Sequence, residues 1–86
     1  DVTGFGLLGH AAHVARASGV TLHIEAAALP VLPGAYAAHE AGARTGGAAR
    51  NAAYVAPLAD LSTATAWTRA LVTDPQTSGG LLVAVP

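Results

Sequence analysis

The sequence predicts an α/β (α+β) chain: a mixed or antiparallel sheet with helices packed on it. Three observations lead there. A helical period over residues 7–18 stops at Gly19 and is followed at once by strict apolar/polar alternation over 20–25. A second apolar run, 81–85, lies between Gly80 and Pro86. The stretch between them is alanine-rich and broken by Gly and Pro at short intervals, the punctuation of several short helices.

Each element has its own reason. Residues 1–6 read DVTGFG, a turn or loop opening onto a helix. Leu7, Leu8, Ala11, Val14 and Ala15 share one face at 100° per residue, with His13 and Arg16 opposite and His10 at the border. Gly19 sits where a helix stops, and Arg16 in the last turn suits the negative end of the helix dipole. Val20, Leu22 and Ile24 alternate with Thr21, His23 and Glu25, which predicts a strand with one buried face. Residues 26–33 hold Pro30 and Pro33 and should be irregular with one turn. Pro33 can open a helix over 34–41 that stops at Gly42. Residues 44–47 form a connector with paired glycines, and 48–55 a short helix carrying Arg50 and Asn51 before Pro57. A helix is expected over 62–71, capped by Asp60 or Ser62, although Thr63, Thr65 and Thr68 weaken its propensity. Residues 74–80, DPQTSGG, make a second turn-rich loop, and 81–85 a buried strand. Two strands alone are marginal, so further strands are expected outside this segment.

With 86 residues the chain has the length of one small domain, with no internal linker. Its apolar content misleads, because 22 of the 45 hydrophobic residues are alanines, each of which removes little area from water. The core should be thin and the isolated fold marginal. Charged residues make up 10% of the chain, against roughly 25% in an ordinary domain. Part of the surface is therefore expected to lie under a second domain or subunit. A first residue of Asp1 in place of Met suggests a fragment of something longer. The four arginines are dispersed and there is no lysine, which argues against nucleic-acid binding. Without cysteine the chain offers no disulfide, thiolate metal site or thiol nucleophile. No apolar run approaches a membrane span and no signal-peptide pattern opens the chain, so a soluble, cytoplasmic protein is the default expectation.

Two loops can carry chemistry. In the first, Gly4 and Gly6 allow close backbone approach, and the helix that follows turns its free amides and positive dipole end toward the loop. That is a phosphate cradle, with Thr3 beside it and Asp1 as a hard oxygen donor for Mg²⁺. It matches neither the Walker A pattern nor the Rossmann fingerprint, and on pattern alone it reads first as a glycine turn whose threonine caps a helix. The second loop offers Asp74, Gln76, Thr77 and Ser78 with Gly79 and Gly80, and also reads as a tight turn set by Pro75. Ser78 lies in no nucleophile elbow. His10 and His13 stand three apart on a helix without the Glu of a zinc-binding motif, so no zinc site is expected. Phe5, Tyr36, Tyr54 and Trp67 are core or interface anchors.

DVTGFGLLGH at 1–10 and DPQTSGGLLVAV at 74–85 resemble the two signature stretches of the selenophosphate synthetase family, the selenide, water dikinases, within the aminoimidazole ribonucleotide synthetase superfamily. Leu32, Pro33 and Gly34 before an alanine-rich helix, then Gly46, Gly47 and Asn51, resemble the family's intervening stretch. The resemblance implies the front part of an incomplete C-terminal domain of the aminoimidazole ribonucleotide synthetase type. The family converts selenide, ATP and water to selenophosphate, AMP and orthophosphate. It implies three partners: an N-terminal catalytic domain of the same protein, holding the reactive Cys or Sec and a Lys; ATP with selenide; and a second copy in a full-length homodimer. No nucleic-acid or membrane partner is implied.

By this likeness Asp1 is a magnesium ligand, and Thr3, Gly4, Phe5 and Gly6 border the phosphates of ATP. Asn51, Asp74, Gln76, Thr77, Ser78, Gly79 and Gly80 would shape the loops or contact the other domain. With no Cys or Lys, the segment should not be catalytic alone. Ala48 departs from the threonine the family often has after the paired glycines, which removes a possible helix cap. Two alternatives stand beside this reading: a fragment of another ATP-dependent synthetase of the superfamily, and a non-catalytic interaction module whose glycines only shape the backbone.

Overall fold

Among the described residues four helices follow from the sequence punctuation: α1 (Gly6–Ser18), α2 (Ala35–Glu40), α3 (Ala48–Val55) and α4 (Ala66–Thr73), with a 3₁₀ turn at Ala26–Ala28. They come from a computed structural model that describes residues 1–76 and 79–86. α1 and α2 end in the same way. Val20 N–H bonds to Ala15 O at 3.0 Å and Gly19 N–H to Arg16 O at 3.3 Å. Ala43 N–H bonds to Ala38 O and Gly42 N–H to His39 O, both at 3.0 Å. This crossed pair closes the last free carbonyls of a helix, and it requires the left-handed residue that glycine supplies.

α4 starts later than its composition suggests. Thr65 is its cap, and the Thr65 Oγ1 accepts the Thr68 N–H at 3.1 Å. Asp60 and Ser62 spend their polar atoms on each other. Asp60 Oδ1 accepts from Ser62 N–H at 3.0 Å and from Ser62 Oγ at 2.6 Å, making a local turn ahead of the helix. These two bonds hold the Asp60 carboxyl below its ordinary pKa.

The α/β expectation is corrected. Among the described residues there is no strand and no sheet, and the fold is helical. Residues 20–25 alternate as the sequence promises, but neither face is covered: Val20 is 52% exposed and its polar neighbours are exposed too. Residues 81–85 are equally open, with Val85 77% exposed. The physical reason lies in the partners. A strand is a ladder of hydrogen bonds between two chains, and alternation in one segment supplies only one side of it. The Val20 amide is already used to close α1, and the Gly80 carbonyl accepts from Val2 N–H at 2.9 Å.

α1, α3 and α4 pack on one another around Leu8, Val55 and Val72, with Leu7, Leu29, Ala59 and Leu61 at the edge. Val55 is the one large side chain fully enclosed among the described residues, so the core is as thin as the alanine count implies. α2 attaches to α4 through rings: Tyr36 stacks on Trp67 at 5.3 Å between centroids, and His39 meets the same indole at 5.3 Å. Among the described residues no helix is long and apolar enough to cross a membrane.

Candidate functional site

The packing of α1 between α3 and α4 sets the start of α1 beside the end of α4. Gly6 carries the chain into α1 with φ +76°, and a Cβ there would stand 3.0 Å from the carbonyl carbon of Thr73. The two loops singled out in the sequence, 70 residues apart, therefore meet. Gln76 N–H donates to Thr3 O at 3.0 Å, and Val2 N–H to Gly80 O at 2.9 Å. Gly79 lies so close that a Cβ on it would fall on the carbonyl oxygen of Val2. The start of α3 joins them, since a Cβ on Gly47 would come within 2.8 Å of the Pro75 ring.

Asn51 is the polar group at the centre. It is buried on α3, and its side-chain amide donates to Gly4 O at 2.9 Å and to Thr73 O at 2.8 Å. Thr73 O belongs to the last turn of α4, where carbonyls have no helical partner. One side chain thus satisfies the end of α4 and grips the loop that opens α1.

Thr3 neither caps α1 nor points a free hydroxyl outward. The N-cap of α1 is Phe5, with no side-chain bond to the first turn. Thr3 O accepts from Gly6 N–H and Gln76 N–H. Thr3 N–H donates to His10 Nε2 at 3.1 Å, and the Thr3 hydroxyl lies 3.0 Å from the same nitrogen. Accepting from a backbone amide places the imidazole proton on Nδ1. Phe5 stands edge-on to the His10 ring at 5.7 Å and is 64% exposed. The sequence places His10 at the border of the apolar face of α1, but its partner Thr3 is not readable from the period.

Asp74 and Gln76 act on their own loop. Gln76 Nε2 donates to Asp74 O and Oδ2, each at 3.2 Å, and the Thr45 hydroxyl reaches Asp74 Oδ1 at 3.4 Å. Thr77 and Ser78 lie outside the described residues. Asp1 is exposed at the rim, and the structure gives its carboxylate no role. Ala48 is the first residue inside α3, one position past its N-cap Gly47, and no side chain caps that helix.

The face around these loops is open. Gly4 is exposed, and a Cβ on it would meet no atom within 4 Å, so packing does not demand glycine there. The uncapped first turn of α1 adjoins it. Among the described residues no group of three or more His, Cys, Asp or Glu could hold a metal. A groove of about 1000 Å³ lies elsewhere, against residues 19–26 and 58–65, and is walled mainly by Ala, Leu and Val.

Comparison with known proteins fixes the class. The family model described as AIR synthase related protein, C-terminal domain, matches residues 1–86, and the chain belongs to that family. Its curated relatives narrow the kinship to the selenophosphate synthetases. The chain is 51% identical over 84 residues to "Selenide, water dikinase" of Pseudomonas straminea, covering 96% of this chain and 24% of the relative. It is 49% identical over 85 residues to the protein of the same name from Rhizobium meliloti (strain 1021), covering 98% of this chain and 24% of the relative. The Porphyromonas gingivalis (strain ATCC BAA-308 / W83) protein of that name is 46% identical over 85 residues, covering 99% and 24%. The chain thus spans about a quarter of the length of these relatives.

Proposed function

We propose that this chain is the nucleotide-facing part of an enzyme that makes selenophosphate, AMP and orthophosphate from selenide, ATP and water. The observation that carries the proposal is the convergence of both signature loops on one open face beside the uncapped start of α1. The names of its relatives supply the substrate class. On this reading residues 1–86 are a single partial C-terminal domain. It works with an N-terminal catalytic domain of the same protein, in a full-length homodimer, and the segment alone is inactive.

The residues present suit Mg²⁺ and ATP as one wall of a site. Mg²⁺ keeps several waters and takes one or two carboxylates plus phosphate oxygens, so a single exposed carboxylate from Asp1 is a reasonable share. When bound, the metal neutralises phosphate charge during transfer. The chain's own contribution is positional. Gly4 and Phe5 present exposed backbone beside the positive end of α1 to an anion, and Gly6, whose amide is bonded to Thr3 O, sets the turn that aims them. The Thr3 amide and hydroxyl face His10, so Thr3 serves by holding the loop in shape while its neighbours meet the phosphates. Asn51, the Gln76 backbone amide and Gly79 keep the second loop against the first, while Asp74 and the Gln76 side chain brace the second loop itself.

The test is product analysis on the full-length protein with ATP, Mg²⁺ and selenide under anaerobic conditions, read by phosphorus NMR. Selenophosphate with AMP and orthophosphate is the expected result. ADP as the nucleotide product, or turnover indifferent to selenide, would overturn the proposal. In the same protein Asp1→Asn should abolish Mg²⁺-dependent ATP turnover and leave the fold intact.

A further inference from the structure

Asn51 is, with Thr73, one of two buried polar residues described. Its two bonds run to carbonyls 47 positions before it and 22 after it. Both acceptors matter. Gly4 O belongs to the exposed loop, and Thr73 O is the last turn of α4, immediately before Asp74, Pro75 and Gln76. Removing the donor leaves the buried Thr73 carbonyl without a partner and frees the part-buried Gly4 carbonyl, a larger loss than an ordinary surface bond. On the other side of the contact Gly47, the N-cap of α3, packs against Pro75. α3 therefore holds residue 4 with one side chain and the 73–76 segment with that side chain and a glycine.

We propose that Asn51 is a positioning residue that couples the two loops, so that the conformation of residues 3–6 depends on that of residues 73–76. Its effect on ligand binding rests on the nucleotide reading above. Its effect on the loops themselves does not. An asparagine on an otherwise alanine-rich helix is a poor helix former, and its two hydrogen bonds to Gly4 and Thr73 offset that cost.

The test uses the full-length protein and Asn51→Asp, which keeps the shape and removes the donors. Without ligand, amide exchange at Gly6 and Gln76 should speed up about tenfold together. Thr45→Val, which breaks only the contact to Asp74, should leave Gly6 unchanged. As pH falls the new carboxyl, raised by burial against two carbonyls, takes up a proton and can donate again, so the acceleration should shrink. A merely structural side chain would not show that recovery. With Mg²⁺ and ATP, KM should rise about tenfold with kcat little changed, because the loop's shape is lost and not a reacting group. If Asn51→Asp does not fold, Asn51→Ser carries the same comparison. Acceleration confined to the 73–76 side, or to neither loop, would overturn the coupling. Joint acceleration with an unchanged KM would support the coupling and count against residues 3–6 as a nucleotide wall.

Discussion

The junction where α1, α3 and α4 converge and the apolar segments at 20–25 and 81–85 are both built from small and aliphatic residues, and they end differently. At the junction each backbone group named above has a partner, and three glycines sit where a Cβ would collide with neighbouring residues: Gly6 against Thr73, Gly47 against Pro75 and Gly79 against Val2. The apolar segments have more hydrophobic bulk, yet Leu81, Val83 and Val85 are all exposed. Apolar content does not decide burial here. Closure does: helix ends, caps and short loops complete themselves from nearby residues, whereas an extended segment needs a second chain beside it.

The sharpest way to break that contrast is a pair of adjacent glycines. Gly79→Ala puts a methyl onto Val2 O and should cost about 3 kcal/mol, while Gly80→Ala, with nothing within 4 Å, should cost almost nothing; thermal melts of both variants decide. Equal losses would mean that the loops do not pack as described. Next comes a pair of valines. Val55→Ala, 1% exposed, should lose about 2 kcal/mol, and Val83→Ala should stay within about 0.5 kcal/mol in denaturant titrations. His10→Phe keeps the ring beside Phe5 but removes the acceptor for Thr3 N–H. A loss of about 1 kcal/mol is expected, with faster exchange at the Thr3 amide. The smallest effect concerns Asp60, whose carboxyl is lowered by Ser62. Its small stabilisation is present above the ordinary carboxylate pKa and is lost as pH falls through the lowered value. Asp60→Asn should flatten that part of an acid titration and leave neutral-pH stability nearly unchanged.

The helices were legible because their signals are local. Gly19 and Gly42 stop α1 and α2 with bonds reaching five residues back, and α3 occupies the span its alanines and Pro57 bracket. α4 was placed too early because Asp60, Ser62 and Thr65 are all good caps, and only the turn between the first two removes them from competition. The sheet was misread because alternation at 20–25 reports which side chains share a face and not what they pair with. At the site, the motifs pointed to both loops, but nothing in the spacing revealed that Asn51 bridges them or that His10 holds Thr3. Those contacts depend on how α1, α3 and α4 cross, which is a property of packing.

The central claim is that two loops far apart in sequence form one nucleotide-facing surface. Hydrogen exchange of the full-length protein with and without Mg²⁺ and ATP tests it most directly. Joint protection of residues 2–6 and 74–76, with residues 20–25 unchanged, is the predicted result. Protection at 20–25 with neither loop affected would contradict it.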